Sequence, residues 1–218
     1  SRVLEIGSGW GALALRAAER GANVTTITLS REQHELARQR VAAAGVDDRI
    51  EVLLRDYREV EGSYDAVVSV EMIEAVGEEY WPSYFGTIDR LLAPGGRAAV
   101  QAILMADDRL ATTRNTYTWV QKYIFPGGLL PSVESVDRAL ASATHGLQVV
   151  HRREFGLHYA HTLRLWRERF VSRSEEVLRL GFDRTFIRMW EFYLAYSEAG
   201  FRSRYIGVSQ LTLARDVA

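Results

Sequence analysis

Residues 3–11 read VLEIGSGWG, and this stretch restricts the fold more than any other part of the chain. A short apolar run, interrupted only by Glu5, enters glycines at 7, 9 and 11. An alanine- and leucine-rich segment follows at once. The run reads as a strand, the glycines as a sharp turn and the sequel as a helix. Such a strand–turn–helix unit, if repeated, argues for an α/β fold with a parallel sheet.

The rest of the chain repeats the alternation. Strands are predicted at 2–6, 23–29, 50–54, 64–70, 97–104, 147–155 and 205–214, and helices at 10–20, 31–44, 80–92 and 133–144. Ser30 and Ser132 stand where N-caps belong, and Gly21 and Gly45 where helices end. The period breaks over 106–131, which is polar, then aromatic, and contains YIFPGGLLPS. This segment is expected to be an insertion over the sheet. Two amphipathic helices are predicted at 161–179 and 184–199. The expected fold is α/β, with a mostly parallel seven-stranded sheet and helices on both faces, in one domain over 1–218. Because residue 2 already begins a strand, a preceding segment or domain is expected to be missing from the sequence.

Composition narrows the function classes. The 218 residues carry a net charge of −1, which offers no general attraction for nucleic acid. There is no cysteine, so disulfide and thiolate chemistry are excluded, and the five histidines show no metal-ligand spacing. No apolar run approaches the length of a membrane span. Arg152, Arg153, Arg164, Arg167, Arg169 and Arg173 give the last third a mildly basic character. They read either as a solvated helix face or as a contact for an anionic membrane surface.

The glycine turn is G-x-G-x-G. The dinucleotide fingerprint needs its third glycine one place later, where Ala12 stands here. With Glu5 two residues before the first glycine, the pattern resembles the first motif of class I S-adenosylmethionine-dependent methyltransferases. Asp56 after the third strand and LLAPGG before the fifth strengthen that resemblance. TLS at the end of the second strand lacks the usual acidic ribose partner and points to a subfamily.

The segments IGSGWG, TLSREQ, SVEMIEAVG, YIFPGGLLPS, FGLHYAHTLRLW and FRSRYIGVSQLTLAR together resemble the cyclopropane-fatty-acyl-phospholipid and mycolic acid cyclopropane synthases, in order, over nearly the whole chain. The resemblance implies a Rossmann-like class I methyltransferase fold with the 106–131 insertion at a lipid site. It implies methyl transfer to the cis double bond of an unsaturated phospholipid acyl chain, then proton loss from a carbocation to a bicarbonate or carbonate ion, closing a cyclopropane ring. A related subgroup makes a 10-methylene chain with no ring, which a reductase partner then reduces. The implied setting is cytoplasmic, peripheral to the inner membrane face, with a homodimer compatible.

Carried over residue by residue, the anion site comprises Glu74, Tyr159, Gln101, Ile103 and Ser8, the last two through backbone groups. Gln101 stands where the family has histidine and Ser8 where it has cysteine, so proton removal is the step most altered. The cofactor residues are Glu5, Gly7, Gly9, Gly11, Thr28, Ser30, Gln33 and Asp56, with Tyr57 flanking the adenine. Glu71, at the end of the fourth strand, reads equally as a ligand-facing group or a loop carboxylate. Trp119, Tyr123, Ile124 and Phe125, with Phe186, Met189, Trp190, Tyr193 and Leu194, are either core or acyl contacts. Two other functions stay open: a methyltransferase for a soluble amine or phenol, and a cofactor-binding scaffold without chemistry.

Overall fold

The structure is a computed structural model and describes residues 1–215. It begins with β1 (Arg2–Ile6), α1 (Ala12–Ala18), β2 (Asn23–Thr28), α2 (Arg31–Ala44) and β3 (Ile50–Leu54), then β4 (Tyr64–Val70), α3 (Trp81–Leu91) and β5 (Leu92–Met105). The insertion forms two short helices, α4 (Asp107–Thr113) and α5 (Trp119–Tyr123). After it come α6 (Val133–Ala143), β6 (Leu147–Glu154), α7 (Gly156–Ser172), α8 (Ser174–Arg179), α9 (Arg184–Arg202) and β7 (Ile206–Arg215).

The seven strands lie in the order β3-β2-β1-β4-β5-β7-β6. β1 to β5 are parallel, and β7 runs antiparallel between β5 and β6. This is the class I methyltransferase arrangement. The strand order reverses between β1 and β4, and open α/β sheets bind ligands at the carboxyl ends of strands flanking such a switch.

Period-two alternation divides β1 between two cores. Leu4 and Ile6 join α3 and α6 on one face, while Val3 joins α1 and α2 on the other. A third cluster packs α7 and α9 against β7 through Leu163, Leu194, Phe201 and Val208. Ser30 caps α2 by accepting the Gln33 N–H, and Ser132 caps α6 in a reciprocal box with Ser135.

Several boundaries differ from expectation. β5 starts at Leu92, which pairs with Tyr64; the register is then interrupted across the APGG segment and resumes where Ala66 meets Arg97. Gly96 is needed for that approach: a Cβ there would meet the carbonyl oxygen of Ala93 at 2.9 Å. α7 begins five residues before the expected 161, directly after β6. The predicted 161–179 helix is two helices, parted at Arg173. Among the described residues no helix is long and apolar enough to cross a membrane.

Candidate functional site

The glycine turn closes over the end of β1. The backbone N–H groups of Gly7 and Ser8 both donate to the Ile27 carbonyl, at 3.0 and 2.8 Å. Gly7 has φ +95, and a Cβ on it would meet Met72 Cγ at 2.8 Å, so only glycine serves there. Gly11 begins α1 with φ +84 and packs against Ala37 of α2.

Beside this turn is a cavity of about 490 Å³, lined by Gly7, Thr28, Ser30, Gln33, Asp56 and Tyr57 among others. These are six of the nine predicted cofactor residues. The Thr28 hydroxyl donates to Gln33 Oε1 at 2.8 Å, which joins β2 to the first turn of α2. Asp56 accepts from the backbone and guanidinium of Arg58, and this pairing holds its carboxyl below the usual range. Tyr57 forms part of the wall but is largely buried, edge-on to Tyr84. Met72, Arg58 and Tyr80 also line the cavity and were not anticipated.

Glu5, Gly9 and Gly11 do not line the cavity. Alternation turns Glu5 to the opposite sheet face, where it is 4% exposed. It accepts the Thr26 hydroxyl at 2.5 Å, and the Ser8 hydroxyl lies 2.8 Å from Thr26. Burial pushes the Glu5 carboxyl up to about 7, against the lowering effect of Thr26. Ser8 therefore belongs to the support beneath the glycine turn. Its N–H donates to the Ile27 carbonyl and its own carbonyl accepts from the Gly11 N–H.

The remaining catalytic candidates gather at the ends of β4 and β5. Glu74 Oε1 accepts the Ile103 backbone N–H at 2.6 Å, so Ile103 contributes through its backbone, to Glu74 itself. Glu74 Oε2 is buried without a partner. Burial, with a smaller contribution from nearby Glu71, pushes the Glu74 carboxyl up to about 7 against two backbone hydrogen bonds. Glu71 joins the other candidates: Tyr159 Oη donates to its Oε2 at 2.9 Å, and Gln101 Nε2 donates to its Oε1 at 2.8 Å. Gln210, which the motifs did not indicate, donates to Gln101 Oε1 at 3.1 Å from the paired position on β7. Burial and the Glu71 charge raise the Tyr159 phenol well above its ordinary value, so it stays a donor.

The segment after β4 serves both sites. Met72, Ala75 and Val76 line the cavity, while Glu71 and Glu74 hold the carboxylate cluster. The insertion leans on α9: Trp119 meets Phe192 edge-on at 4.7 Å, and Phe125 meets Tyr193 at 5.7 Å. Leu194 is buried core, whereas Tyr123, Phe125 and Phe192 are about half exposed. In the basic segment, Arg167 is spent on Glu198, Arg152 pairs with Glu154, and Arg164 approaches Glu168. Among the described residues no group of histidine, aspartate and glutamate side chains could hold a metal.

Comparison with known proteins adds the family. The model for "Mycolic acid cyclopropane synthetase" matches residues 1–211. The chain is 58% identical to the tuberculostearic acid methyltransferase UfaA1 of Mycobacterium tuberculosis, over 99% of this chain and 50% of that protein. It is 36% identical to the cyclopropane-fatty-acyl-phospholipid synthase of Escherichia coli K12, over 99% of this chain and 54% of that protein. The chain thus spans about half the length of these curated relatives. The crystal structure of mycolic acid cyclopropane synthase CmaA1 complexed with SAH and CTAB superposes with TM-score 0.88 at 27% identity, covering 97% of this chain and 77% of that one.

Proposed function

The chain belongs to the mycolic acid cyclopropane synthetase family, and from that premise we propose that it transfers a methyl group from S-adenosylmethionine to the cis double bond of an unsaturated phospholipid acyl chain. The observation that carries the reading is the shared wall: one short segment lines the nucleotide-sized cavity with Met72 and Ala75 and fixes carboxylates with Glu71 and Glu74. S-adenosylmethionine fits a cavity that has Gly7 at its edge, hydroxyl and amide groups at Thr28, Ser30 and Gln33, and Tyr57 in its wall. Bound there, it supplies an electrophilic methyl group.

The residues of the chain then do three things. The cavity and the β4–β5 cluster hold the two reactants in a fixed relation, which a poorly nucleophilic alkene requires. The aromatic insertion and α9 offer apolar surface for an acyl chain and keep water away. The partly buried Glu71 and Glu74 provide proton acceptors on the segment that also walls the cofactor cavity. The half-exposed Tyr123, Phe125, Phe192 and Tyr196 suit peripheral contact with a membrane surface from which the chain is drawn.

The product proposed is the 10-methylene chain, a substrate for a reductase-class partner. It is favoured by the higher identity to the tuberculostearic acid methyltransferase and by the neutral Gln101. The cyclopropane chain is the second reading, favoured by the family description and the Escherichia coli relative. Incubation of the full-length protein with methyl-labelled S-adenosylmethionine and unsaturated phospholipid vesicles is expected to label the released fatty acids. Label entering soluble amines or phenols, with none in lipid, would refute the proposal.

A further inference from the structure

We propose that the Glu71 carboxylate occupies the place of a bound bicarbonate ion and acts as this enzyme's own base. The inference rests on the methyl-transfer reading above and deepens it. The family resemblance assigns bicarbonate four partners besides Ser8: Glu74, Tyr159, residue 101 and the Ile103 backbone. In this chain the Tyr159 phenol and the Gln101 amide both donate to Glu71, at 2.9 and 2.8 Å. The Ile103 N–H donates to Glu74. The donors that would hold the ion are already bonded to side chains of the protein.

Electrostatics points the same way. A bicarbonate ion would meet the Glu71 carboxylate, which already takes the Tyr159 and Gln101 donors. Among the described residues neither Glu71 nor Glu74 has an arginine, lysine or histidine partner. Gln101 cannot supply the positive charge an imidazolium would. Gln210 fixes the Gln101 amide by donating to its oxygen, which leaves the nitrogen to face Glu71. The site is built to hold one carboxylate already attached to the chain, and bicarbonate does not fit it.

Backbone geometry supports a dedicated role. Glu71 has φ +54, a left-handed conformation that an L residue with a long side chain rarely adopts. Its own N–H donates to the Gln101 carbonyl at 2.8 Å, which locks the turn. Strain of this kind persists where the surroundings hold it for a purpose.

The step balances. The alkene π pair forms the new C–CH₃ bond, and the S–CH₃ pair stays on sulfur. The transferred methyl carbon then loses a proton to a Glu71 oxygen, which keeps a lone pair free beside its hydrogen bond. The C–H pair becomes either the closing ring bond or, after a 1,2-hydride shift, the exocyclic double bond. Loss of that proton quenches the carbocation in either case, so a carboxylate placed beside the methyl carbon can serve as the base. The neutral Glu71 carboxyl returns its proton to solvent when product leaves.

The test uses full-length protein in buffer stripped of carbon dioxide, with and without millimolar bicarbonate. Wild-type turnover on unsaturated phospholipid vesicles is expected to be unchanged by bicarbonate, and ¹³C-bicarbonate NMR is expected to show no bound ion. Glu71→Gly suits the positive φ, so it folds; it should lose about 100-fold or more in turnover, the scale of a general base. It should also regain activity with bicarbonate and bind the ¹³C ion. Glu71→Gln, which keeps the hydrogen bonds and lacks the charge, should be equally slow. Wild-type activity that needs bicarbonate, a bound ion in the wild type, or a bicarbonate-free Glu71→Gly as fast as wild type would each overturn the proposal. Absence of lipid methylation by the wild type under both conditions would refute the methyl-transfer reading instead, and the NMR comparison would still decide the ion site.

Discussion

Two buried carboxylates with similar proton affinity lie at opposite sides of the switch point, and their surroundings differ. Glu5, beneath the glycine turn, accepts the Thr26 hydroxyl and is enclosed with Ser8. Glu74, beyond β4, has one oxygen on Ile103 and the other buried with no partner, beside a strained Glu71. Burial pushes both up to about 7. A perturbed carboxyl alone therefore does not mark the chemistry. The difference lies in satisfaction: the region under the cofactor cavity is closed and complete, and the β4–β5 region keeps an unfilled acceptor. Glu5 and its hydroxyl partners hold a loop in shape, whereas the free Glu74 oxygen lies in the same cluster as the Glu71 carboxylate that Tyr159 and Gln101 orient.

The comparison can be tested most forcefully through Glu74. Glu74→Gln is expected to lower turnover by about 100-fold or more, while calorimetry finds S-adenosylmethionine affinity close to wild type. Loss of cofactor binding would merge the two regions. The second test concerns pH. Both carboxyls are raised from 4.5 to about 7, so the folded chain holds protons the unfolded chain has released. Their stabilising contribution is complete below about pH 4.5 and is lost as pH rises through about 7. Each contributes on the order of 3 kcal/mol across that window. Denaturant melts from pH 5 to 8 should show the decline, and Glu5→Gln with Glu74→Gln should flatten it.

Smaller changes sharpen the cofactor side. Gly7→Ala places a Cβ against Met72 at φ +95. It is expected to cost roughly 2–3 kcal/mol in cofactor affinity or stability, read by calorimetry and thermal melts. Thr26→Val removes the donor to Glu5 and should cost roughly 1–2 kcal/mol of stability, with turnover per folded molecule unchanged. A large loss of turnover with normal stability would move chemistry to the Glu5 side.

Local pattern made much of this legible. The alternating periods set the parallel sheet, because helix and strand faces must each be buried nearby, and the family resemblance named Gly7, Thr28, Ser30, Gln33 and Asp56, which the fold brings to one cavity wall. Long-range pairing was not legible. Tyr159 reaches Glu71 across 88 residues of sequence, and Gln210 reaches Gln101 across 109. No period encodes those meetings; the antiparallel register of β5 and β7 and the early start of α7 create them. Alternation along β1 likewise turns Glu5 to the sheet face away from this cavity, where it meets Thr26.

The central claim is that a methyl group reaches an acyl double bond and then gives up a proton inside the carboxylate cluster. The direct measurement supplies S-adenosylmethionine with a trideuterated methyl group and unsaturated phospholipid vesicles to the full-length protein, and weighs the released fatty acids before and after mild hydrogenation. The account predicts one added carbon carrying two deuterons, with hydrogen taken up afterwards as an exocyclic methylene requires. Three retained deuterons, or lipid that stays unlabelled, would contradict it.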